Sequence, residues 1–439
     1  MRDPEGYLRF EPEHVIRRLY GPLASDHFLY RPVAQRLVHE ERLIPFQFED
    51  AQTLRAPRVP FVSHPYEWTD AQFYDAATLT LDISETLLDE GLQLKDASAW
   101  NVVYHGTRPM FCDHLSVEPI GDRRWWAFAQ FVRHFVLPLC VSRFRGLHAK
   151  DCFKIARDGL TPAQARDLMG LKRYFTRYWP LMIEGKGRAS VTAATLQRAD
   201  QAASSLRNIY ASARMFLNGV VPSSGAKKSV WIDYVHDRTH YSADAANVKR
   251  ETVARWLAEI RPTWVVDFGC NTGEFSLIAR ENGAAVIAID LDHESVQELY
   301  RRRSGDVGLY PLCATLDDFA GGRGWAGAEF PGLMHRLEGR GDVVLMLALI
   351  HHLSISDAVR YADIVEFAAR VTRRYLIAEL LEENDPLVER LCAQRRRSPA
   401  EFGLQKQREA FARRFAQRAE VVLPGGTRRL LLLELVPNC

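Results

Sequence analysis

An apolar strand that ends in an acid, breaks at a glycine and restarts as a helix is a device for gripping a polar ligand with backbone. Residues 265–276 read that way: Val265-Val266-Asp267-Phe268-Gly269-Cys270-Asn271-Thr272-Gly273-Glu274-Phe275-Ser276. In open parallel sheets, ligands bind beyond the carboxyl ends of the strands, where such a turn brings backbone close. Gly269 and Gly273 supply the conformational freedom and the missing side chains that this approach requires. A second apolar strand, Val286-Ile287-Ala288-Ile289, ends in Asp290, roughly the twenty-residue spacing of a ribose-binding acid. A carboxylate only accepts hydrogen bonds, so it can hold both hydroxyls of a diol.

Two ligand classes meet this pattern. Dinucleotide enzymes favour G-x-G-x-x-G, whose middle glycine lets a pyrophosphate sit on the helix N-terminus. Here Asn271 holds that middle position, and Asp267 precedes the turn. A carboxylate there repels a diphosphate but suits the ammonium and sulfonium of S-adenosylmethionine. The expected cofactor is therefore S-adenosylmethionine, with Asp267, Gly269, Cys270, Asn271, Gly273 and Asp290 at its site. Tyr234 and Tyr241 lie just before the first helix of this region. They could cover the cofactor or pack between domains.

On the acceptor side, His351 and His352 follow the apolar run 343–349 directly. Methyl transfer from a sulfonium needs a base only when the acceptor must lose a proton, and histidine holds one near neutral pH. Adjacent side chains do not face the same way, so one of the pair is expected to reach the acceptor, unless both merely shape the loop. Glu379 ends the strand 375–378 at the same edge. It could orient a histidine, bind a cationic or hydroxylated substrate, or form a structural ion pair.

The stretch 267–273 resembles motif I of the class I methyltransferases, with Asp290 on their ribose-binding acid and Leu291 on the position that packs against adenine. More narrowly, 260–435 resembles a bacterial family related to a rhizobial host-specificity nodulation protein. The carrying stretches are 267–276, 342–353 (DVVLMLALIHHL), 379–385 and 411–433. Pro65-Tyr66-Glu67-Trp68 and Leu94-Lys95-Asp96-Ala97 extend the resemblance upstream. Where many relatives carry an acid near the adenine amino group, this chain has Ala314-Thr315, with Asp317 and Asp318 slightly later.

Elements that alternate in the α/β manner must position these residues. Helices are expected at 247–260, 273–282 and 356–370, and strands at 264–268, 285–289, 343–349 and 375–380. That alternation argues a Rossmann-like doubly wound parallel sheet over 229–439. Upstream, an α+β accessory domain is expected over 1–145. It contains a helix at 71–90, a hairpin (101–104 returning at 109–112) and an aromatic-heavy helix at 125–144. A helical connecting region with a long helix at 195–216 and a linker at 219–229 fills 146–228.

Within the accessory domain, Asp96, Asn101 and Asp113 fall in the order of a protein-kinase catalytic loop and metal-binding acid. No Gly-rich phosphate loop precedes them, and residues 1–94 contain no lysine, so an active kinase is not expected; the order is either a kinase-like remnant used as a scaffold or substrate-binding module, or a chance resemblance in an unrelated accessory domain. Cys112-Asp113-His114 lacks a spaced second cluster, and the seven scattered cysteines show no CxxC pair, so no metal site is expected.

Composition sets the outer bounds. Hydrophobic residues at 47% and charged residues at 26% are ordinary for globular domains. A net charge of +2 lacks the basic excess of a nucleic-acid protein. With no signal peptide and no apolar run of membrane length, a cytoplasmic bacterial methyltransferase is expected. Its acceptor is expected to be a small-molecule or carrier-bound metabolite, methylated on O or N. The alternatives are an RNA methyltransferase, a bifunctional enzyme or pseudo-enzyme with a nucleotide-binding kinase-like N-terminal domain, and a binding protein that has lost turnover.

Overall fold

The computed structural model describes residues 5–121, 124–183, 199–223 and 243–436. The chain divides into two compact units, Met1–Ser224 and Gly225–Cys439. Among the described residues, no helix is long and apolar enough to cross a membrane.

The first unit opens with an antiparallel sheet of β1 (Gly6–Phe10), β2 (His14–Leu19), β3 (Gln47–Asp50) and β4 (Thr53–Pro57), in the order β1-β2-β4-β3. Its central helix, Asp70–Leu88, begins where the Thr69 side chain and Gln72 cap one another, satisfying amides that a helix start would otherwise leave bare. Next come β5 (Leu92–Leu94), the hairpin β6 (Val102–His105) and β7 (Arg108–Phe111), and β8 (Val117–Pro119), which pairs with β5. The hairpin turns at Gly106, whose φ of +63° a side chain would resist. The expected single helix at 125–144 is instead Phe128–Phe131 and Leu137–Arg145, joined by a π-helical turn at Val132–Val136. Helix Ala199–Asn218 packs along Asp70–Leu88, with Arg214 reaching Asp82 at 2.7 Å and Glu85 at 3.0 Å.

In the second unit, helix Ala243–Ile260 precedes a seven-stranded sheet. The strands are β9 (Trp264–Phe268), β10 (Ala285–Asp290), β11 (Leu309–Cys313), β12 (Gly341–Met346), β13 (Thr372–Leu381), β14 (Phe415–Val422) and β15 (Arg428–Leu435), in the order β11-β10-β9-β12-β13-β15-β14. Helices Glu274–Glu281, His293–Arg302 and Tyr361–Val371 fill the crossovers. β9, β10 and β12 are buried through most of their lengths, as expected of parallel strands covered on both faces.

The sheet is not wholly parallel. β15 runs antiparallel to both β13 and β14, because β14 and β15 form a hairpin whose turn uses Gly425 and Gly426 at φ +101° and +79°. Strand order reverses between β9 and β12, which pair in parallel with Leu345 beside Asp267. A crevice opens beyond the carboxyl ends of strands at such a switch point.

Candidate functional site

That crevice is a cavity of about 570 Å³. Asp267, Gly269, Cys270, Asn271, Asp290 and Leu291 all line it, so the structure brings these expected residues together. Gly273 acts one layer back. Its φ is +85°, and a β-carbon there would lie 2.4 Å from the Leu299 side chain, so this glycine lets the turn settle against helix His293–Arg302. Tyr234 and Tyr241 lie outside the described residues.

The turn is tied to the end of β10. The amides of Gly269 and Cys270 both donate to the Ile289 carbonyl, at 2.9 and 3.1 Å. The Asn271 amide, at φ +49°, donates to Asp290 Oδ2 at 2.8 Å. The Asp292 amide donates to Asp290 Oδ1 at 2.8 Å. Two backbone donors thus fix the Asp290 carboxylate and leave each oxygen a lone pair for a diol. Burial raises its pKa, against the lowering effect of those two amides. Beside it, Leu291 is 53% exposed and presents an apolar surface to the cavity.

Asp267 is only 2% exposed, and its Oδ2 accepts a 2.6 Å hydrogen bond from Ser276 Oγ. Burial, opposed by the Ser276 bond and helped by the charge of Asp290, pushes its carboxyl up to about 6. The Cys270 thiol is pushed well above its usual range by burial and by Asp290 and Asp267, so it stays protonated and packs as a small apolar group.

The expected strand at 343–349 stops at Met346, and Ala348 takes a left-handed φ of +53°. A non-glycine residue held there costs about 1–2 kcal/mol, strain of the kind that collects at functional sites. A π-helical turn follows at His352–Ser356. This path separates the two histidines. His352 lines the cavity, whereas His351 lies behind it at 4% exposure, its ring 4.4 Å from that of His352. Burial, reinforced by Arg390 and Arg428, lowers His352 to about 4. Burial also drives His351 well below its usual range, helped by His352, Arg428 and Lys249. Both imidazoles are neutral near pH 7.

Glu379 does not line the cavity. Fully buried, it receives Lys249 Nζ at 2.6 Å and faces Arg428 Nη1 at 3.6 Å. Arg428 in turn holds Asp385 through Nε at 2.8 Å, and Asp385 caps helix Pro386–Arg395 at the Leu387 amide. A carboxylate bracketed by two buried cations is a structural ion, so of its three expected uses the ion pair describes Glu379.

Sequence reasoning missed Lys249, Arg250 and Phe275, which line the cavity from helices Ala243–Ile260 and Glu274–Glu281. The signal was Lys249 itself, sharing a face with buried Ala245, Thr252, Val253 and Trp256. A lysine on a buried stripe requires a partner.

In the first unit, Asp96 accepts from the Ser98 amide at 2.9 Å and is raised by burial and by the nearby charge of Asp113. Asp113 is paired with Arg17 Nη1 at 3.2 Å. His114 Nε2 is bonded to the Ile44 carbonyl at 2.8 Å, and burial pushes the Cys112 thiol up to about 12.

No family model matches the chain. It is 30% identical over 459 aligned residues to nodulation protein NoeA of Rhizobium meliloti (strain 1021), covering 99% of this chain and 94% of that protein. A shorter match, 32% over 73 residues, is to the malonyl-[acyl-carrier protein] O-methyltransferase of Hamiltonella defensa subsp. Acyrthosiphon pisum (strain 5AT), covering 16% of this chain and 28% of that one. Magnesium protoporphyrin IX methyltransferase of Synechocystis PCC 6803, solved with bound S-adenosylhomocysteine, aligns with 44% of this chain and 84% of its own, at 15% identity and a TM-score of 0.32.

The geometry at Gly273 predicts that Gly273→Ala will destabilise the protein by roughly 2 kcal/mol or more, through left-handed strain and overpacking on Leu299. Urea unfolding measures this, and an unchanged midpoint would contradict it.

Proposed function

The chain belongs to the family of nodulation protein NoeA and is an S-adenosylmethionine-dependent methyltransferase, and on that premise we propose that it methylates an oxygen or nitrogen of a small-molecule or carrier-bound metabolite, with the first unit helping to choose the acceptor. The observation that carries this reading is the placement of Asp290, Leu291, Asp267 and His352 around one cavity. In it, Asp290 holds the ribose hydroxyls, Leu291 packs on adenine, and Asp267 attracts the ammonium end. His352 then faces the side from which an acceptor enters.

Transfer is an in-line displacement. The acceptor's lone pair forms a bond to the methyl carbon as the carbon–sulfur bond breaks, and its electrons return to sulfur. The donor is already activated, so alignment supplies most of the effect, and this can be worth several kcal/mol. His352, neutral as it stands, accepts a hydrogen bond from a hydroxyl or amine acceptor, aims its lone pair, and takes up the proton that the methylated oxygen or nitrogen loses. His351 supports that ring from behind.

The first unit reads as a kinase-like remnant serving as a binding scaffold. Arg17 already occupies Asp113, the acid that would hold a metal in an active phosphotransferase. The near balance of charge favours a metabolite over RNA. The test is incubation with methyl-tritiated S-adenosylmethionine and separate small-molecule, carrier-protein and RNA fractions. Label appearing only in RNA would overturn the reading.

Three outcomes follow from the site. Asp290→Ala loses two hydrogen bonds to a charged acceptor and should weaken S-adenosylhomocysteine binding about 30-fold or more by calorimetry; unchanged affinity would refute the ribose assignment. Asp267 must be ionised to attract the ammonium, and its carboxyl sits near 6. Binding should therefore be full at pH 7.5 and fall about tenfold per unit below pH 6, a slope that Asp267→Asn removes. A pH-independent affinity in the wild type would contradict the role. Finally, His352→Ala should lower kcat about 100-fold with little change in cofactor KM, measured with the acceptor the labelling experiment returns. Full turnover in that variant would refute the role of His352.

A further inference from the structure

Residues 168–183 of the first unit carry Lys172, Arg173 and Arg177 and no acid, in a chain whose whole length balances 57 basic against 55 acidic residues. The same stretch is rich in apolar side chains, and the fold sorts them into two faces. Its 3₁₀ turns, Gly170–Phe175 and Trp179–Met182, bury Tyr178 and Met182 together with the preceding Met169. Leu171 and Phe175 do the opposite, at 76% and 88% exposed, with Tyr174 half-exposed beside them. Residues three apart eclipse in a 3₁₀ turn, so Leu171 and Tyr174 share one outer face, and Phe175 adjoins it.

The segment is anchored from within. The Tyr178 hydroxyl donates to the Phe216 carbonyl at 2.9 Å, on helix Ala199–Asn218, and Lys172 Nζ donates to the Phe144 carbonyl at 3.0 Å. The Arg173 guanidinium lies over the Tyr174 and Trp179 rings, 4.5 and 5.3 Å from their centroids, and those rings stand 4.9 Å apart. A turn fixed this way holds Leu171 and Phe175 in water, which is unfavourable until something covers them. Exposed apolar surface with a polar rim marks a contact with a protein or a membrane.

Shape and charge choose between the two. A stable protein interface needs a broad patch, about 800 Å² on each partner, whereas side chains projecting from one short turn form a narrow wedge. The rim is cationic. Arg177 is exposed and lines a concavity with Arg207 and Arg214. Those two are already paired, with Asp89 at 2.8 Å and Glu85 at 3.0 Å, and Arg177 has no such partner among the described residues. Bilayer interfaces take up this combination, with aliphatic and aromatic tips below the headgroups, Trp and Tyr at their level, and Lys and Arg against anionic phosphates.

We propose that residues 170–179 form a peripheral lipid contact, in which Leu171 and Phe175 insert into an anionic bilayer surface while Arg177 and its basic neighbours lie against the lipid phosphates. The contact is independent of the cofactor site and belongs to the first unit alone.

The experiment is flotation of the full-length protein with vesicles of phosphatidylcholine alone and of an equimolar mixture with phosphatidylglycerol. The wild type should float with the mixed vesicles and not with the neutral ones, and about 0.5 M salt should weaken that binding by screening the rim. The double variant Leu171→Ser/Phe175→Ser should lower the partition coefficient about tenfold or more, and Arg177→Gln about fivefold. Both should keep the wild-type thermal midpoint and S-adenosylhomocysteine affinity, because these exposed side chains support none of the core. If the double variant does not fold, Arg177→Gln decides. Absence of flotation with the mixed vesicles, equal flotation with the neutral ones, or variants that float like the wild type would each overturn the proposal. So would a wild type that stays with neither vesicle but sediments as a dimer that Phe175→Ser dissociates, which would give this face to a second copy of the chain.

Discussion

The site depends on a few backbone hydrogen bonds that tie one turn to the end of one strand. Gly269 and Cys270 share the Ile289 carbonyl, and Asn271 donates to the Asp290 carboxylate. Buried amides and carbonyls must find partners, and here the partner is β10's own last residues. The bonds fix the distance between the two acids, orient Asp290, and place Gly273 where helix Glu274–Glu281 can start against Leu299. A parallel sheet buried on both faces keeps β9 and β10 in register beneath them. Loosening that turn would disturb both acids together.

How much was legible in the sequence follows from range. Asp267, the glycines and Asp290 lie within two strands and one turn, where local chemistry dictates conformation, and all were readable. The helix–strand alternation of the second unit was readable for the same reason. β11 was not, because Pro311 argues against a strand; at the sheet edge the missing donor costs little. β14 and β15 went unassigned as strands, and their antiparallel insertion is a matter of topology rather than pattern. Which histidine faces the cavity turned on the left-handed Ala348 and the π turn, and neither leaves a residue-type signal. Glu379 and Lys249 are 130 residues apart, so their pairing could not be read locally.

The first unit shows the converse. The kinase-like order of Asp96, Asn101 and Asp113 was legible, and the structure sets the two acids within electrostatic reach around the β6–β7 hairpin. The ion pair from Arg17 on β2 was invisible, because it joins residues 96 positions apart. Motif order shows which residues share a neighbourhood. Only packing shows whether each is already occupied.

The hairpin of β14 and β15 gives the buried charges an order in time. Arg428, which faces Glu379 and holds Asp385, sits at the first position of the last strand. A ribosome delivers β9, the glycine turn, Lys249 and Glu379 well before that arginine emerges. Until it does, the sheet lacks its antiparallel insert and two buried carboxylates lack a shared cation. Loss of one partner from such a buried pair typically costs about 3–5 kcal/mol. The cofactor pocket can therefore mature only after the β14–β15 hairpin has been synthesised, so that a nascent chain stalled short of that hairpin would carry the motif without a finished wall behind it.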